Sequence, residues 1–197
     1  MSRRRVGVLI SGRGSNMQAL VEAARVPSYP AEIVVVVSNR PDAPGLDYAR
    51  AQGITAHAID HKAYPTREAF DGALNAYLKS QNLDIVACAG FMRVMTHQLI
   101  DAWAGRMINI HPSLLPLYKG THTHERALAD GAEVHGCTVH YVTHELDSGP
   151  IIAQTQVIVF PGDTVETLNA RVLAQEHKLY PKALTRVCAE LNRAGST

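Results

Sequence analysis

The sequence predicts an α/β fold: one domain on a mostly parallel sheet flanked by helices, with an antiparallel hairpin at the C-terminal end of the sheet. Three observations carry this. The runs RVGVLIS (5–11), EIVVVVS (32–38) and DIVACA (84–89) are apolar almost throughout, as strands buried on both faces are. Between them apolar residues recur at helical spacing. Residues 134–143 and 151–160 then read as two strands with no helix between them, which requires an antiparallel pair. A chain of 197 residues suits a single domain over 1–197.

The first strand is followed at once by Gly12-Arg13-Gly14-Ser15-Asn16, and Met17, Leu20, Val21 and Ala24 continue as a helix. A helix start behind glycines offers free N–H groups and a positive dipole end to a phosphate. The same glycines would equally serve a tight turn. Neither a dinucleotide fingerprint nor a P-loop is present, because Met17 replaces the third glycine and no Gly-Lys-Ser/Thr follows. A second strand (32–38), a short helix (43–52) ended by Gly53 and a third strand (54–59) come next.

Thr66 caps a helix running to Gln81, with Arg67 in its first turn. A cation there opposes the helix dipole, so Arg67 is either solvated or reaches a ligand. After the 84–89 strand comes the apolar loop Gly90-Phe91-Met92-Arg93-Val94-Met95, suited to the floor of a pocket for a flat ring or to core packing. A short helix (97–104) leads to MINIHPSLLP (107–116). Alternate strand residues share a face, so Asn109 and His111 project together. An amide donor beside an imidazole polarises a carbonyl and moves a proton; two polar groups satisfied at a strand end is the other reading.

A proline-rich loop (112–120) and a helix (122–129) precede the hairpin, whose connection carries Asp147 before Ser148-Gly149-Pro150. Asp147 either caps its own turn or orients His111 and favours the charged ring. The last helix starts at Thr164 and is expected to break at Pro181, with Glu176 on or beside its apolar stripe. A carboxylate there calls for a cationic partner, from protein or ligand. In a parallel sheet, ligands sit beyond the strands' carboxyl ends, where the glycine turn, the 90–95 loop and His111 should meet.

Composition narrows the function classes. Hydrophobic residues at 46%, charged residues at 19% and a net charge of +1 describe a soluble globule with no bulk affinity for nucleic acid or membrane. Arg3, Arg4 and Arg5 read as a solvated start, and residues 1–4 and 194–197 as flexible ends. The apolar run behind the arginines is too short for a membrane helix or signal. Three scattered cysteines, Cys88, Cys137 and Cys188, fit a reducing cytoplasm. Of ten histidines, six fall from His111 to His144. His122 and His124 with His111, His135 or His140 could supply metal ligands, a reading that competes with metal-free chemistry.

Taken together, VLISGRGSNMQAL, the VSNR turn, AGFMRVM, GRMINIHPSLLP, THTH, HGCTVHYVTHELDSGPII and QEHKLYP resemble the phosphoribosylglycinamide formyltransferase family over nearly the whole chain. The resemblance implies a Rossmann-like formyltransferase fold. It implies transfer of a formyl group from 10-formyltetrahydrofolate to the amine of 5-phosphoribosylglycinamide in purine synthesis, without a metal. By the same resemblance Asn109, His111 and Asp147 are the catalytic trio. Gly14, Ser15, Asn16, Met17, Gln18 and Glu176 hold the phosphoribosyl substrate. Arg67, Met92, Arg93, Val94, Met95 and Asn109, with Thr143, His144, Glu145, Leu146 and Asp147, hold the folate. Arg13 and His144 depart from the pattern, standing where relatives carry a neutral and an acidic residue.

The competing functions are another folate-dependent formyltransferase, a formyl-folate hydrolase, and a non-catalytic phosphosugar-binding module. The first two usually carry an extra domain, for which this chain is expected to have no room. Partners are expected to be small molecules, with a second copy able to pair along the apolar 134–160 hairpin.

Overall fold

The computed structural model describes residues 3–194. Its elements alternate along the chain: β1 (Arg4–Ile10), α1 (Ser15–Ala24), β2 (Ala31–Ser38), α2 (Pro44–Ala51), β3 (Thr55–Ala58), α3 (Arg67–Ser80), β4 (Ile85–Cys88), α4 (His97–Ala102), β5 (Met107–His111), α5 (Thr123–Ala129), β6 (Val134–Tyr141), β7 (Ile151–Ile158) and α6 (Val165–Ala194), with a 3-10 turn at His61–Ala63. Among the described residues they build one seven-stranded sheet in the order β3-β2-β1-β4-β5-β6-β7. The first five positions are parallel; β6 and β7 are antiparallel additions. This is the expected architecture.

Strand alternation splits the core in two. Val6, Val8 and Ile10 face a cluster with Met17 and Leu20 of α1 and Leu168, Val172 and Leu184 of α6. Leu9 and Cys88 face the other side, against Phe70, Leu74 and Leu78 of α3, Leu99 of α4 and Trp103 just after it. Both faces of the central parallel strands are therefore covered, which is why they carry unbroken apolar runs such as Val8–Ile10, Val34–Val37 and Ile85–Cys88. Thr66 caps α3 as its sequence proposes, its Oγ1 accepting from the Ala69 N–H at 3.1 Å.

Two expectations need correcting. Arg3–Arg5 are not a solvated tail: Arg4 opens β1 and pairs with Asp84 at 3.0 Å. Arg5 donates to the Gln81 and Asn82 carbonyls at the end of α3, and Arg3 to the Ala24 carbonyl ending α1. These guanidiniums satisfy helix C-terminal carbonyls, where cations belong. At the other end α6 continues through Pro181 to Ala194, because its apolar stripe stays buried against the sheet on both sides of the proline (Leu179, Tyr180, Ala183, Leu184). Flexibility assigned to residues 1, 2 and 195–197 lies outside the described residues.

Candidate active site

The register aligns the carboxyl ends of three central strands: Leu9 pairs with Cys88, and Cys88 with Asn109. The glycine turn, the 90–95 loop and the end of β5 thus emerge side by side, and two cavities open above them. The larger, about 560 Å³, has an apolar wall from Met92, Met95, Ile100 and Val142 and a polar one from Asn109, His111, His140, Asp147 and Glu176. The smaller, about 450 Å³, lies against Gly12–Asn16 with Arg13, Arg40 and Arg93 on its rim. Asn16, Gly90, Met92 and Arg93 border both.

His111 is 5% exposed. Its Nε2 lies 2.9 Å from the Tyr118 carbonyl, and a carbonyl only accepts, so Nε2 carries a proton. Nδ1 is left 3.4 Å from Asp147 Oδ2. That contact becomes an ion pair only when the ring carries a second proton. Asp147 is fixed from elsewhere, since its Oδ2 accepts the Gly120 N–H at 2.8 Å. Of the two readings of Asp147, the placement beside His111 is the one observed, and the backbone it caps is distant in sequence.

Asn109 is oriented by a residue the sequence offered only as a metal ligand. His140 lies opposite it in the antiparallel register, and its Nδ1 faces the Tyr141 carbonyl at 2.9 Å. Nε2 is then the bare nitrogen, and it accepts from Asn109 Nδ2 at 3.3 Å. One amide hydrogen of Asn109 is used; the other is left for a ligand. Burial pushes the His140 pKa down, which keeps this acceptor in place. His124 and His135, 3.1 Å apart and buried, are also pushed down by burial, His135 to about 4.

At the other end of the cavity Glu176 is 6% exposed. Its expected cationic partner is not a protein group: Oε2 accepts from Asn16 Nδ2 at 2.8 Å. A neutral amide offsets little of the cost of burial, and the carboxyl is pushed up to about 7. Gly14 sits at φ +66°, and the first intrahelical bond runs from Gln18 N–H to Gly14 O. The N–H groups of Ser15, Asn16 and Met17 therefore precede the helical ladder and can serve an anion.

Four predicted residues are not brought to the cavities by their side chains. Met17 is fully buried in the core, leaving its N–H as its means of contact. Gln18 folds back onto the Arg13 carbonyl at 3.3 Å. Glu145 is exposed and paired with Lys119 at 3.2 Å. Arg67 is exposed at the start of α3, one turn from Phe70, whose ring lies 4.8 Å under the Arg93 guanidinium. Gly14, Ser15, Asn16, Met92, Arg93, Val94, Met95, Thr143, His144 and Leu146 all border one cavity or the other. Among the described residues no group of three His, Cys, Asp or Glu side chains is arranged to hold a metal ion.

The sequence model of the formyl transferase family matches residues 4–184. Phosphoribosylglycinamide formyltransferase of Escherichia coli (strain K12) is 46% identical over 178 residues, 90% of this chain and 84% of that protein. This chain belongs to the phosphoribosylglycinamide formyltransferase family. The family's solved structures agree: that of the phosphoribosylglycinamide formyltransferase from Brucella melitensis superposes with a TM-score of 0.92 at 50% identity, covering 95% of this chain and 97% of that one. A longer relative, the trifunctional purine biosynthetic protein adenosine-3 of Bos taurus, is 49% identical over 98% of this chain. The chain spans only 19% of that relative's length.

Proposed function

We propose that this chain transfers the formyl group of 10-formyltetrahydrofolate to the amine of 5-phosphoribosylglycinamide, giving formylglycinamide ribonucleotide in purine biosynthesis. The observation that carries this is the placement of Asn109 and His111, held by His140, Tyr118 and Asp147, at the junction of a phosphate-type turn and an apolar slot. The turn at Gly14 with the N–H groups of Ser15, Asn16 and Met17, together with Glu176, holds the phosphoribosyl substrate. Met92–Met95 with Thr143, His144, Leu146 and Asp147, which border the larger cavity, hold the folate.

In this reading the amine attacks the formyl carbon, and the carbonyl electrons move onto the formyl oxygen. The free N–H of Asn109 and the Nδ1–H of protonated His111 donate to that oxyanion, each such donor typically contributing about 10²–10³ in turnover. Asp147 stabilises the imidazolium across 3.4 Å. The ammonium proton passes to the folate nitrogen, by His111 or through a water; the carbon–nitrogen bond to the folate then breaks and tetrahydrofolate leaves. No metal enters the reaction. Free, buried thiols at Cys88, Cys137 and Cys188 support a cytoplasmic setting. The open edge of β7, with Ile151 and Ile158 exposed, suits a second copy, which sedimentation would detect.

The test is formyl transfer from 10-formyltetrahydrofolate to 5-phosphoribosylglycinamide, with His111→Ala as control. Product from the wild type and its loss in the control are expected. Formate release without transfer would make the protein a hydrolase, and binding of both ligands without product would make it a binding module.

A further inference from the structure

Between the two substrate sites lies a contact that the mechanism does not use. The ladder joining β1 to β4 runs past the ends of both strands: Ala89 N–H donates to the Leu9 carbonyl at 2.8 Å and Ser11 N–H to the Gly90 carbonyl at 3.1 Å. The next rung is made by a side chain. Ser11 Oγ accepts the Met92 N–H at 2.8 Å and donates to Asn39 Oδ1 at 2.6 Å. A hydroxyl has one proton to give, so donation to Asn39 sets the direction of the Met92 bond. Asn39 is held in turn by His61, whose Nδ1 lies 2.8 Å from its carbonyl. Ser11 and Asn39 are 8% and 4% exposed and border the smaller cavity.

We propose that Ser11 is a positioning residue that couples the two sites, so that binding of the phosphoribosyl substrate and binding of the folate strengthen one another. The inference rests on the function proposed above. Ser11 immediately precedes the Gly12–Asn16 turn, and its hydroxyl holds the first residue of the 92–95 loop. The two cavities share Asn16, Gly90, Met92 and Arg93, so a ligand in either one bears on both segments that the Ser11–Met92 bond joins. A ligand that orders one segment orders the other through the Ser11–Met92 bond. The second ligand then meets a loop whose position the first has already fixed. By linkage the strengthening is the same whichever ligand binds first.

The experiment titrates tetrahydrofolate, which has no formyl group to transfer, into the protein with and without saturating 5-phosphoribosylglycinamide. Calorimetry gives the ratio of the two dissociation constants for wild type, Ser11→Ala and Asn39→Ala. We expect a ratio of about fivefold or more in the wild type and a ratio near one in both variants. Ser11→Ala keeps the backbone rung to Gly90, and Asn39→Ala tests the same hydroxyl from its other side should the first variant fold poorly. Ser11→Thr, which keeps the hydroxyl, should recover part of the ratio, which a purely structural role would not require. A wild-type ratio of one, or a ratio unchanged in a folded variant, overturns the inference. A wild type that fails to make product from 10-formyltetrahydrofolate overturns the function reading instead, so the two failures are told apart.

Discussion

Asp147→Asn removes a negative charge 3.4 Å from His111 Nδ1 while keeping an oxygen that can accept the Gly120 N–H. The loop should therefore stay in place while the imidazolium loses its partner. We expect kcat to fall about 10²–10³-fold with Tm nearly unchanged; near-normal kcat would remove Asp147 from the mechanism. Glu176 tests burial rather than charge pairing. Its folded pKa, about 7, lies above its ordinary 4.5, so the folded state holds the proton more tightly than the unfolded one. Stability from this group is complete below about pH 4.5 and is lost as pH rises through about 7. Glu176→Gln should flatten that part of the Tm–pH curve, and an unchanged slope between pH 5 and 8 would refute the assignment. Asn109, His111, Asp147 and Glu176 were all legible as residues. What holds them was not, because the Tyr118 carbonyl and the His140 ring reach the site through a left-handed turn (Tyr118 φ +54°) and an antiparallel register that one-dimensional spacing does not encode.

At the scale of elements, the turn between β1 and α1 has little room to vary. Gly14 is left-handed, and a Cβ there would stand 3.0 Å from Met17 Cε and 3.3 Å from Ile10 Cγ2. A β-branched residue at this φ is disfavoured by about 1–2 kcal/mol before any crowding. Gly14→Val should raise KM for the phosphoribosyl substrate tenfold or more and the folate KM by clearly less; equal loss of both would point to general misfolding. Parallel strands were readable because double-sided burial gives unbroken apolar runs, as in Val35–Val37 and Ile85–Ala87. Breaks were read less well. Pro181 suggested an end to α6, yet tertiary burial of Tyr180 and Leu184 on either side carries the helix through. Arg3–Arg5 looked like a tail because their partners, the carbonyl ends of α1 and α3, are far away in sequence.

For the molecule as a whole, the site depends on how α6 is keyed to the sheet. Tyr180 is fully buried, and its hydroxyl donates toward the Cys88 carbonyl at 2.8 Å and the Ile108 carbonyl at 3.3 Å. Those carbonyls end β4 and directly precede Asn109, while Glu176, one turn earlier on α6, closes the far side of the same cavity. A single side chain thus sets the distance between the helix bearing Glu176 and the strand bearing Asn109 and His111. Tyr180→Phe preserves the ring and removes the single proton that the hydroxyl gives to the buried Cys88 carbonyl, a loss of about 1–3 kcal/mol. At roughly 2–4 °C per kcal/mol for a chain of this size, thermal unfolding should drop by several degrees. The small shift of α6 should appear in KM for the phosphoribosyl substrate before it appears in kcat, because Asn109 and His111 are held independently by β6 and the 118–120 loop. Differential scanning calorimetry with steady-state kinetics on the same preparation checks both halves. An unchanged Tm would mean that the hydroxyl contributes nothing, and a fall in kcat alone would mean that α6 bears on the donor pair rather than on the substrate.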